Sequence, residues 1–174
     1  MLYDLSNINK LENEKIFVDA NVLIFWNWST GKIKQETDYS SIYAKLLEQR
    51  NHIYVDFIVI SEVINRLIKI ETKKNDINII DFKKFRNSEQ GKEKLKEIYS
   101  VVQERILDNF DLAEKHFTKE NILEFLSIDS LDFNDKAILK ICKENNFILL
   151  TDDIDFRNSD VDILTCNKKI TQCK

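Results

Sequence analysis

Short runs of β-branched and aromatic residues alternate along the chain with longer stretches in which apolar residues recur about every 3.6 positions. The short runs predict strands at residues 15–18, 52–55, 147–150 and 161–165. Their apolar residues are nearly continuous and helical stretches separate them, which is typical of parallel strands covered on both faces. The alternation therefore predicts a three-layer α/β/α fold with a central parallel sheet.

Side chains that can cap a helix stand at the beginning of the longer stretches. The predicted helix starts are Asp38, Ser61, Ser88, Thr118 and Asp132. A side-chain oxygen at such a position accepts a hydrogen bond from a backbone N–H group that the helix leaves free. The chain has no proline and only two glycines, so helices are rarely interrupted and a glycine-rich phosphate-binding loop is absent.

Length and composition indicate one globular domain over residues 1–174. A chain of 174 residues can bury a sizeable core, and no repeat, linker or low-complexity segment divides it. The formal net charge of −4 argues against a protein that holds nucleic acid by overall positive charge. A local basic face remains compatible with this charge.

The cysteines and the N-terminal segment indicate a cytoplasmic protein. Cys142, Cys166 and Cys173 form no CxxC pair and their number is odd, so we expect reduced thiols rather than disulfides. Residues 1–15 contain no apolar segment typical of a signal peptide. No run approaches the roughly 18 apolar residues of a membrane span, so a membrane is not an expected partner.

The segment KIFVDANVLIF places a carboxylate, Asp19, inside an otherwise apolar run. Burying an unpaired charge is costly, so such a group is normally paired, protonated or bound to a metal. Asp19 ends the first predicted strand, and Asp152, Asp153 and Asp155 directly follow the strand FILLT. Ligands of parallel sheets bind beyond the carboxyl ends of the strands, so we expect these side chains to meet at one edge.

Three further acids are predicted in the first turns of helices at the same edge: Glu62 in ISEVINRL, and Asp132 and Asp135 in LDFNDKAIL. Taken singly, each is explained by the stabilising effect of a carboxylate at a helix start. Together they would repel, since two unit charges roughly 4 Å apart interact by about 4 kcal/mol at an effective dielectric near 20. A cation site is the better explanation, and oxygen ligands without histidine or cysteine favour Mg²⁺ or Mn²⁺ over zinc.

The order of these motifs resembles that of the PIN domain ribonucleases. The family pattern has a strand that ends in Asp, with Asn, Thr or Ser two residues later, here FVDANVLI, and then a helix-borne Glu, here SEVINRL. An Asp that opens a helix and a strand followed by T-x-D complete it, here NDKAILKICKENNFILLTDDIDF. By this resemblance the catalytic and metal-binding acids are Asp19, Glu62, Asp135 and Asp153. The supporting residues are Asn21, Thr151, Asp132 and Asp155.

The resemblance implies hydrolysis of RNA phosphodiester bonds with Mg²⁺ or Mn²⁺, which leaves a 3′-hydroxyl and a 5′-phosphate. The partners it implies are an RNA substrate and, for the toxin of a toxin–antitoxin pair, an antitoxin protein; a homodimer is also compatible with it. Residues 72–130 are longer than a minimal bacterial toxin of the family requires and are predicted as a helical charged insertion. The adjacent Asp152 and Asp153 leave open which of them is the last acid.

Other features of the sequence bear on nucleic-acid binding. The expected basic surface is formed by Lys73, Lys74, Lys83, Lys84, Arg86, Lys92, Lys94 and Lys96, although the glutamates between them also fit an ordinary solvated helix face. Trp26 and Trp28 can stack on a base, but core or dimer packing is the commoner role of such rings. His52 and His116 lie outside the acidic segments and are expected to be structural.

Two other classes of function remain open at this stage. A catalytically silent PIN-like module would bind RNA or a protein without cleaving it, and a metal-dependent nuclease assay separates it from an enzyme. A haloacid-type phosphatase would need an Asp where the chain has Asn21, and a phospho-receiver domain would need a lysine that LLTDDIDF does not provide. The ordered set of acids favours the ribonuclease.

Overall fold

The computed structural model describes residues 1–74 and 82–171, without the side chain of residue 74. In these residues six strands form one sheet, and every neighbouring pair of strands is parallel. The strands are β1 (Leu2–Tyr3), β2 (Lys15–Val18), β3 (His52–Val55), β4 (Asp111–Leu112), β5 (Ile148–Leu150) and β6 (Ile163–Leu164). Their order across the sheet is β1-β6-β5-β2-β3-β4. The predicted parallel sheet is therefore confirmed.

Helices join the strands and cover the sheet, which confirms the three-layer α/β/α arrangement. The described helices are α1 (Ala20–Asn27), α2 (Ile33–Glu48), α3 (Phe57–Lys74), α4 (Phe82–Asn87), α5 (Glu89–Val101), α6 (Lys119–Phe125), α7 (Phe133–Asn145) and α8 (Lys168–Thr171). Two 3-10 turns and a π-helical turn complete them, at Ile8–Lys10, Ile154–Asn158 and Val102–Leu107. Among these described helices none combines the length and the apolar character that crossing a membrane requires.

Strand β2 lies inside the sheet, between β5 and β3. Phe17 pairs with Tyr54 of β3 on one side and with Leu149 of β5 on the other. Ile16, Phe17 and Val18 have no solvent exposure, because both faces of this strand are covered. This two-sided burial explains why the strand is continuously apolar in sequence.

The four predicted strands are present, with small differences at their ends. Strands β2 and β3 match their predictions, β5 starts one residue later, and β6 is limited to two residues. Strands β1 and β4 were not predicted. Each has two residues and lies at an outer edge of the sheet, so it is too short to show a recognisable apolar pattern.

Three predicted helix starts are confirmed by the hydrogen bonds of their capping side chains. Ser88, Thr118 and Asp132 each accept a hydrogen bond from the backbone N–H group three residues later. These bonds satisfy donors that the first turn of a helix leaves without an internal partner.

Two predicted helix starts are wrong, because both helices begin earlier. Helix α2 begins at Ile33, which places Asp38 in its second turn. Helix α3 begins at Phe57, which places Ser61 in its second turn, and Asp56 is the residue that caps it. The first turn of α2 is mainly polar and the first turn of α3 is wholly apolar, so neither shows the period that the prediction requires.

The predicted helical charged insertion around residues 72–130 lies partly outside the described residues. Its described part contains the end of α3, followed by α4, α5 and α6. Phe85 of α4 and Ile98 of α5 are buried and belong to the same hydrophobic core as the sheet. The boundaries of the domain and of the insertion stay predictions.

Candidate active site

Four buried polar side chains stand at the carboxyl ends of four neighbouring strands. Asp19 follows β2, Asp56 follows β3, Thr151 follows β5 and Thr165 follows β6. Each of the four is at most 5% exposed. Because the strands are parallel, their ends form one edge of the sheet, which we call the carboxyl edge. Open α/β sheets bind their ligands at this edge.

Asp19 is held by three hydrogen bonds. Its Oδ1 accepts one from the Ala20 backbone N–H at 2.6 Å, which makes Asp19 the N-cap of α1. Its Oδ2 accepts one from Asn21 Nδ2 at 2.6 Å and one from the Thr151 hydroxyl at 2.7 Å. These bonds fix the orientation of a buried carboxylate and join the start of α1 to the segment after β5.

The environment of Asp19 raises its pKa to about 7. Burial is the largest cause, and the hydrogen bond from Thr151 opposes it. The charges of Glu62 and Asp153 raise the pKa further. Burial and two neighbouring acids therefore disfavour the ionised form of Asp19, and a cation bound there would stabilise that form.

The predicted supporting residues Asn21 and Thr151 each contact both Asp19 and the segment after β5. Asn21 Oδ1 accepts a hydrogen bond from the Asp152 backbone N–H at 3.1 Å. Thr151 Oγ1 accepts one from the Asp153 backbone N–H at 2.9 Å. The two side chains therefore determine where the backbone of Asp152 and Asp153 lies relative to Asp19.

Asp132 and Asp135 form a capping box at the start of α7. The Asp135 N–H donates to Asp132 Oδ1 at 2.8 Å, and the Asp132 N–H donates to Asp135 Oδ2 at 3.1 Å. Burial raises the pKa of Asp135 to about 6, and the charges of three acids add to this effect: Asp132, Asp153 and Asp155. The start of α7 therefore lies beside the segment after β5, where the Asp155 N–H donates to Asp153 Oδ1 at 3.0 Å.

The sequence predicted Glu62 in the first turn of its helix. It lies in the second turn of α3, because the helix begins at Phe57. Its Oε1 accepts a hydrogen bond from Arg66 Nη1 at 3.1 Å in an i, i+4 ion pair. Its negative charge nevertheless raises the pKa of Asp19. Glu62 is thus an electrostatic neighbour of Asp19, with a cationic partner of its own.

Electrostatic interactions connect the four predicted acids pairwise. Glu62 interacts with Asp19, Asp19 with Asp153, and Asp153 with Asp135. Within residues 1–74 and 82–171, no three acidic, histidine or cysteine side chains are already grouped closely enough to enclose a metal ion. The donors fit Mg²⁺ or Mn²⁺ in their chemistry, because all four are carboxylates. Two of them, Asp19 and Asp135, have pKa values raised by burial and by neighbouring negative charge, which a cation would counteract.

Sequence reasoning missed two polar groups at the carboxyl edge. Asp56 follows β3 in IYVDF, the same strand–Asp pattern that drew attention to Asp19, so a signal was present. Its Oδ1 accepts a hydrogen bond from the Val59 N–H at 2.8 Å, and burial raises its pKa. Tyr39 of α2 places its hydroxyl beside the segments that follow β5 and β6. The sequence shows Tyr39 only as one apolar position of a helix, without a signal for its hydroxyl.

The two tryptophans are engaged in packing. Trp26 packs against Tyr43 with a ring-centroid distance of 4.6 Å, and its Nε1 donates to a backbone carbonyl at 2.8 Å. Trp28 Nε1 donates to Glu71 Oε1 at 3.1 Å. His52 begins β3, at the end of the strand opposite to the carboxyl edge. The contacts of Trp26 and Trp28 favour structural roles for both, and His52 lies away from the acids.

Part of the predicted basic surface is neutralised by neighbouring acids. Lys92 Nζ lies 2.7 Å from Glu89 Oε1, and Lys94 Nζ lies 2.7 Å from Glu97 Oε2. The side chain of residue 74 lies outside the described part of the chain. These ion pairs on α5 leave less positive charge for RNA than the sequence suggested.

A second group of lysines lies close to the carboxyl edge. Lys34, Lys168 and Lys169 line a cavity of about 370 Å³, together with Asp38 and Asp152. Within the described ranges none of the three lysines forms an ion pair with a carboxylate. Their charge is therefore available to a bound anion.

A family model and the fold of a solved structure agree with this architecture. The family model described as PIN domain matches residues 16–161. A crystal structure of PAE2754 from Pyrobaculum aerophilum is similar in fold, with a TM-score of 0.51 and 16% identity over 92% of this chain and 89% of that chain. A crystal structure of VapBC2 from Rickettsia felis bound to a DNA fragment from their promoter has a TM-score of 0.48 and 15% identity, over 87% of this chain and 98% of that chain. No curated protein matches the chain. The matched segment runs from the central strand β2 to beyond the acids that follow β5, and it covers most of the chain. The chain therefore belongs to the PIN domain family.

Proposed function

We propose that the protein is a metal-dependent ribonuclease that hydrolyses RNA phosphodiester bonds. Family membership supports the general class, since PIN domains are generally nucleases. The observation that carries the proposal is Asp19, a buried carboxylate at a strand end with two acidic neighbours that raise its pKa. The bonds from Asn21 and Thr151 fix this carboxylate at the carboxyl edge, in addition to its cap of α1.

The residues proposed to hold the ion are Asp19, Asp135 and Asp153, with Glu62 beside them. When bound, Mg²⁺ or Mn²⁺ would polarise a phosphodiester oxygen and lower the pKa of a water molecule. Asn21 and Thr151 orient Asp19 through their hydrogen bonds. Asp132 and Asp155 are proposed as supports of Asp135 and Asp153, because each shares a backbone hydrogen bond with its neighbour.

Glu62 is proposed to orient the attacking water and to accept its proton. It lies on α3, on a different element from the acids after β5, and its carboxylate is partly exposed. To accept a proton, Glu62 must first break its ion pair with Arg66. Arg66 can then bind a phosphate of the RNA backbone. Attack by water on the phosphorus forms a bond to the water oxygen and breaks the bond between phosphorus and the 3′ oxygen, which leaves a 5′-phosphate on one product. The released 3′ oxygen takes up a proton from solvent and becomes a hydroxyl, and Glu62 returns the proton that it accepted to solvent.

RNA is the substrate that the family resemblance implies, and positive charge near the segment after β5 suits its phosphate backbone. The cavity that Lys34, Lys168 and Lys169 line opens near the segment after β5. Phosphate groups of the backbone would bind lysines that have no carboxylate partner in the described residues. Asp38 and Asp152 line the same cavity, so the three lysines give it a small local excess of positive charge on a chain that is acidic overall.

An antitoxin partner, a homodimer and a cytoplasmic location are further proposals that follow from the family resemblance. Co-purification with the product of a neighbouring small gene tests the first, and light scattering of the purified protein tests the second. Fractionation of cells that express the chain tests the third.

The decisive experiment is cleavage of an end-labelled RNA by purified protein. We expect cleavage with Mg²⁺ or Mn²⁺, no cleavage in EDTA, and 5′-phosphate ends on the products. Asp19→Asn, purified in parallel, excludes a contaminating nuclease. Cleavage that survives EDTA would contradict the metal dependence. A folded protein that cleaves no RNA under any of these conditions would favour the silent binding module.

A further inference from the structure

The hydroxyl of Tyr39 connects two segments of the carboxyl edge. Tyr39 lies in α2 and has no solvent exposure. Its hydroxyl oxygen lies 2.8 Å from Asp152 Oδ1 and 3.2 Å from the carbonyl oxygen of Thr151, both in the segment after β5. It also lies 3.2 Å from Thr165 Oγ1, and it accepts a hydrogen bond from the Cys166 N–H at 3.2 Å, both in the segment after β6.

The chemistry of the hydroxyl decides which of these contacts it donates. A tyrosine hydroxyl has one proton, and the Asp152 carboxylate is both the nearest acceptor and the only charged one among the four contacts. The Cys166 N–H and the Thr165 hydroxyl then donate to the oxygen of Tyr39. Asn167 Nδ2 holds the same segment a second time, because it donates to the carbonyl oxygen of Asp152 at 2.7 Å.

Asp152 and Asp153 consequently have different surroundings although they are adjacent in sequence. Asp152 is hydrogen-bonded to Tyr39. Asp153 interacts electrostatically with both Asp19 and Asp135. The Asp152 carboxylate therefore lies toward the segment after β6, and that of Asp153 lies toward Asp19 and Asp135.

Building on the proposed function, we infer that Tyr39 is a positioning residue, which holds Asp152 away from the acids and so makes Asp153 the last acid of the site. Without the hydroxyl, the Asp152 carboxylate loses its donor inside a half-buried setting. It is then free to turn toward a cation bound by the other acids. An additional carboxylate there would retain the ion in an arrangement that does not support turnover.

The test uses Tyr39→Phe, Asp152→Asn and the double variant, with Tyr43→Phe as a matched control. Phenylalanine keeps the ring that stacks on Phe25 at a centroid distance of 5.6 Å. Tyr43 lies one turn further along α2, and its hydroxyl has no hydrogen bond within the part of the chain that the structure describes. Mn²⁺ affinity is measured by calorimetry without RNA, and kcat and KM are measured on a short RNA.

We expect Tyr39→Phe to lower kcat at least about 10-fold with KM changed by less than about twofold, because an interaction that acts on turnover is removed. Its Mn²⁺ affinity should equal or exceed that of the unchanged protein. Asp152→Asn alone should leave Mn²⁺ affinity within about twofold, and the double variant should have a kcat within about threefold of that of Asp152→Asn. A merely structural role of Tyr39 would not produce this rescue.

The outcomes separate this inference from the proposed function. Unchanged protein that neither cleaves RNA nor binds Mn²⁺ would overturn both. Active unchanged protein with Tyr39→Phe equal to Tyr43→Phe, or with no rescue in the double variant, would overturn the inference alone. If Tyr39→Phe fails to fold, Asp152→Asn and Asp153→Asn test the part of the inference that makes Asp153, and not Asp152, the last acid of the site. The inference requires the first to keep Mn²⁺ binding and the second to lose it, and the reverse result would refute it.

Discussion

Asp19 and Asp56 occupy equivalent positions at the ends of neighbouring parallel strands, yet their surroundings differ. Phe17 of β2 pairs with Tyr54 of β3, so continuing this register sets Asp19 beside Asp56. Both carboxylates are nearly buried, at 5% and 4% exposure, and both accept a backbone hydrogen bond at the start of a helix. Asp19 accepts two more side-chain bonds.

A strand followed by Asp and a helix is therefore not by itself a sign of an active site. Burial raises the pKa of both carboxyls, but neighbouring acids raise only that of Asp19. Asp56 is sufficiently explained by the cap of α3. Asp19 is set apart by Thr151, a side chain 132 positions away in sequence.

Neutralising the two acids in parallel is the strongest test of this comparison. We expect Asp19→Asn to lower RNA cleavage by more than the roughly 100-fold that removal of an outer partner of a metal site can cause. Asp56→Asn should keep cleavage within about threefold, because asparagine caps a helix as well as aspartate does. Single-turnover rates with Mn²⁺ measure both variants at equal concentrations of folded protein. Equal losses would show that the two acids have the same role.

Removing the hydroxyl that distinguishes Asp19 from Asp56 should have the next largest effect. Thr151→Val deletes the donor to Asp19 and the acceptor of the Asp153 N–H, so we expect cleavage to fall by roughly 10- to 100-fold. The matched control is Thr72→Val, since Thr72 is also buried and its hydroxyl donates to the backbone carbonyl of Ile68, within α3. A loss of cleavage in the control as large as that in Thr151→Val would contradict the role of Thr151.

The pH dependence of metal-free stability should separate the two acids by a smaller free energy. With a folded pKa of about 7, Asp19 binds its proton more tightly in the folded than in the unfolded chain, where its pKa is about 3.9. Raising the pH from the unfolded pKa to the folded pKa therefore lowers the free energy of unfolding, and this loss of stability is complete above about pH 7.

Asp19→Asn has no carboxyl to titrate at this position. At about pH 8 in EDTA, its free energy of unfolding should therefore be higher than that of the unchanged protein by roughly 1 to 4 kcal/mol. Near pH 4 the two should be similar, because the carboxyl is then protonated in the folded protein. Urea unfolding at several pH values measures the difference. A variant that is less stable at high pH would identify Asp19 as a purely structural residue.

The smallest expected effect concerns Asp56 as a cap. Asp56→Ala removes the acceptor of the Val59 N–H and should lower the free energy of unfolding by about 1 kcal/mol, whereas Asp56→Asn should not. Thermal melting and urea unfolding measure the change, and cleavage per folded molecule should stay the same. A loss of cleavage in Asp56→Ala at full folding would place Asp56 in the site.

Local patterns revealed the sheet and the position of Asp19, because a strand buried on both faces leaves a continuous apolar run. They misplaced the start of α3, since the apolar residues after Asp56 hide the point at which strand changes to helix. They did not reveal Tyr39, because its hydroxyl meets Asp152, a residue 113 positions away. Contacts between residues so far apart in sequence form only in the assembled sheet, and the pattern of a short segment does not predict them.

The long sequence separation between Asp19 and Thr151 also affects when this edge is completed during synthesis. Asp19 is synthesised before Thr151, and the hydrogen bond between them spans 132 positions and requires β5 to pair with β2. Contacts between such distant segments form late, because the intervening chain must first be ordered. A nascent chain therefore cannot assemble the carboxyl edge until β5 has been synthesised. Before that point, Asp19 lacks the partner that orients it.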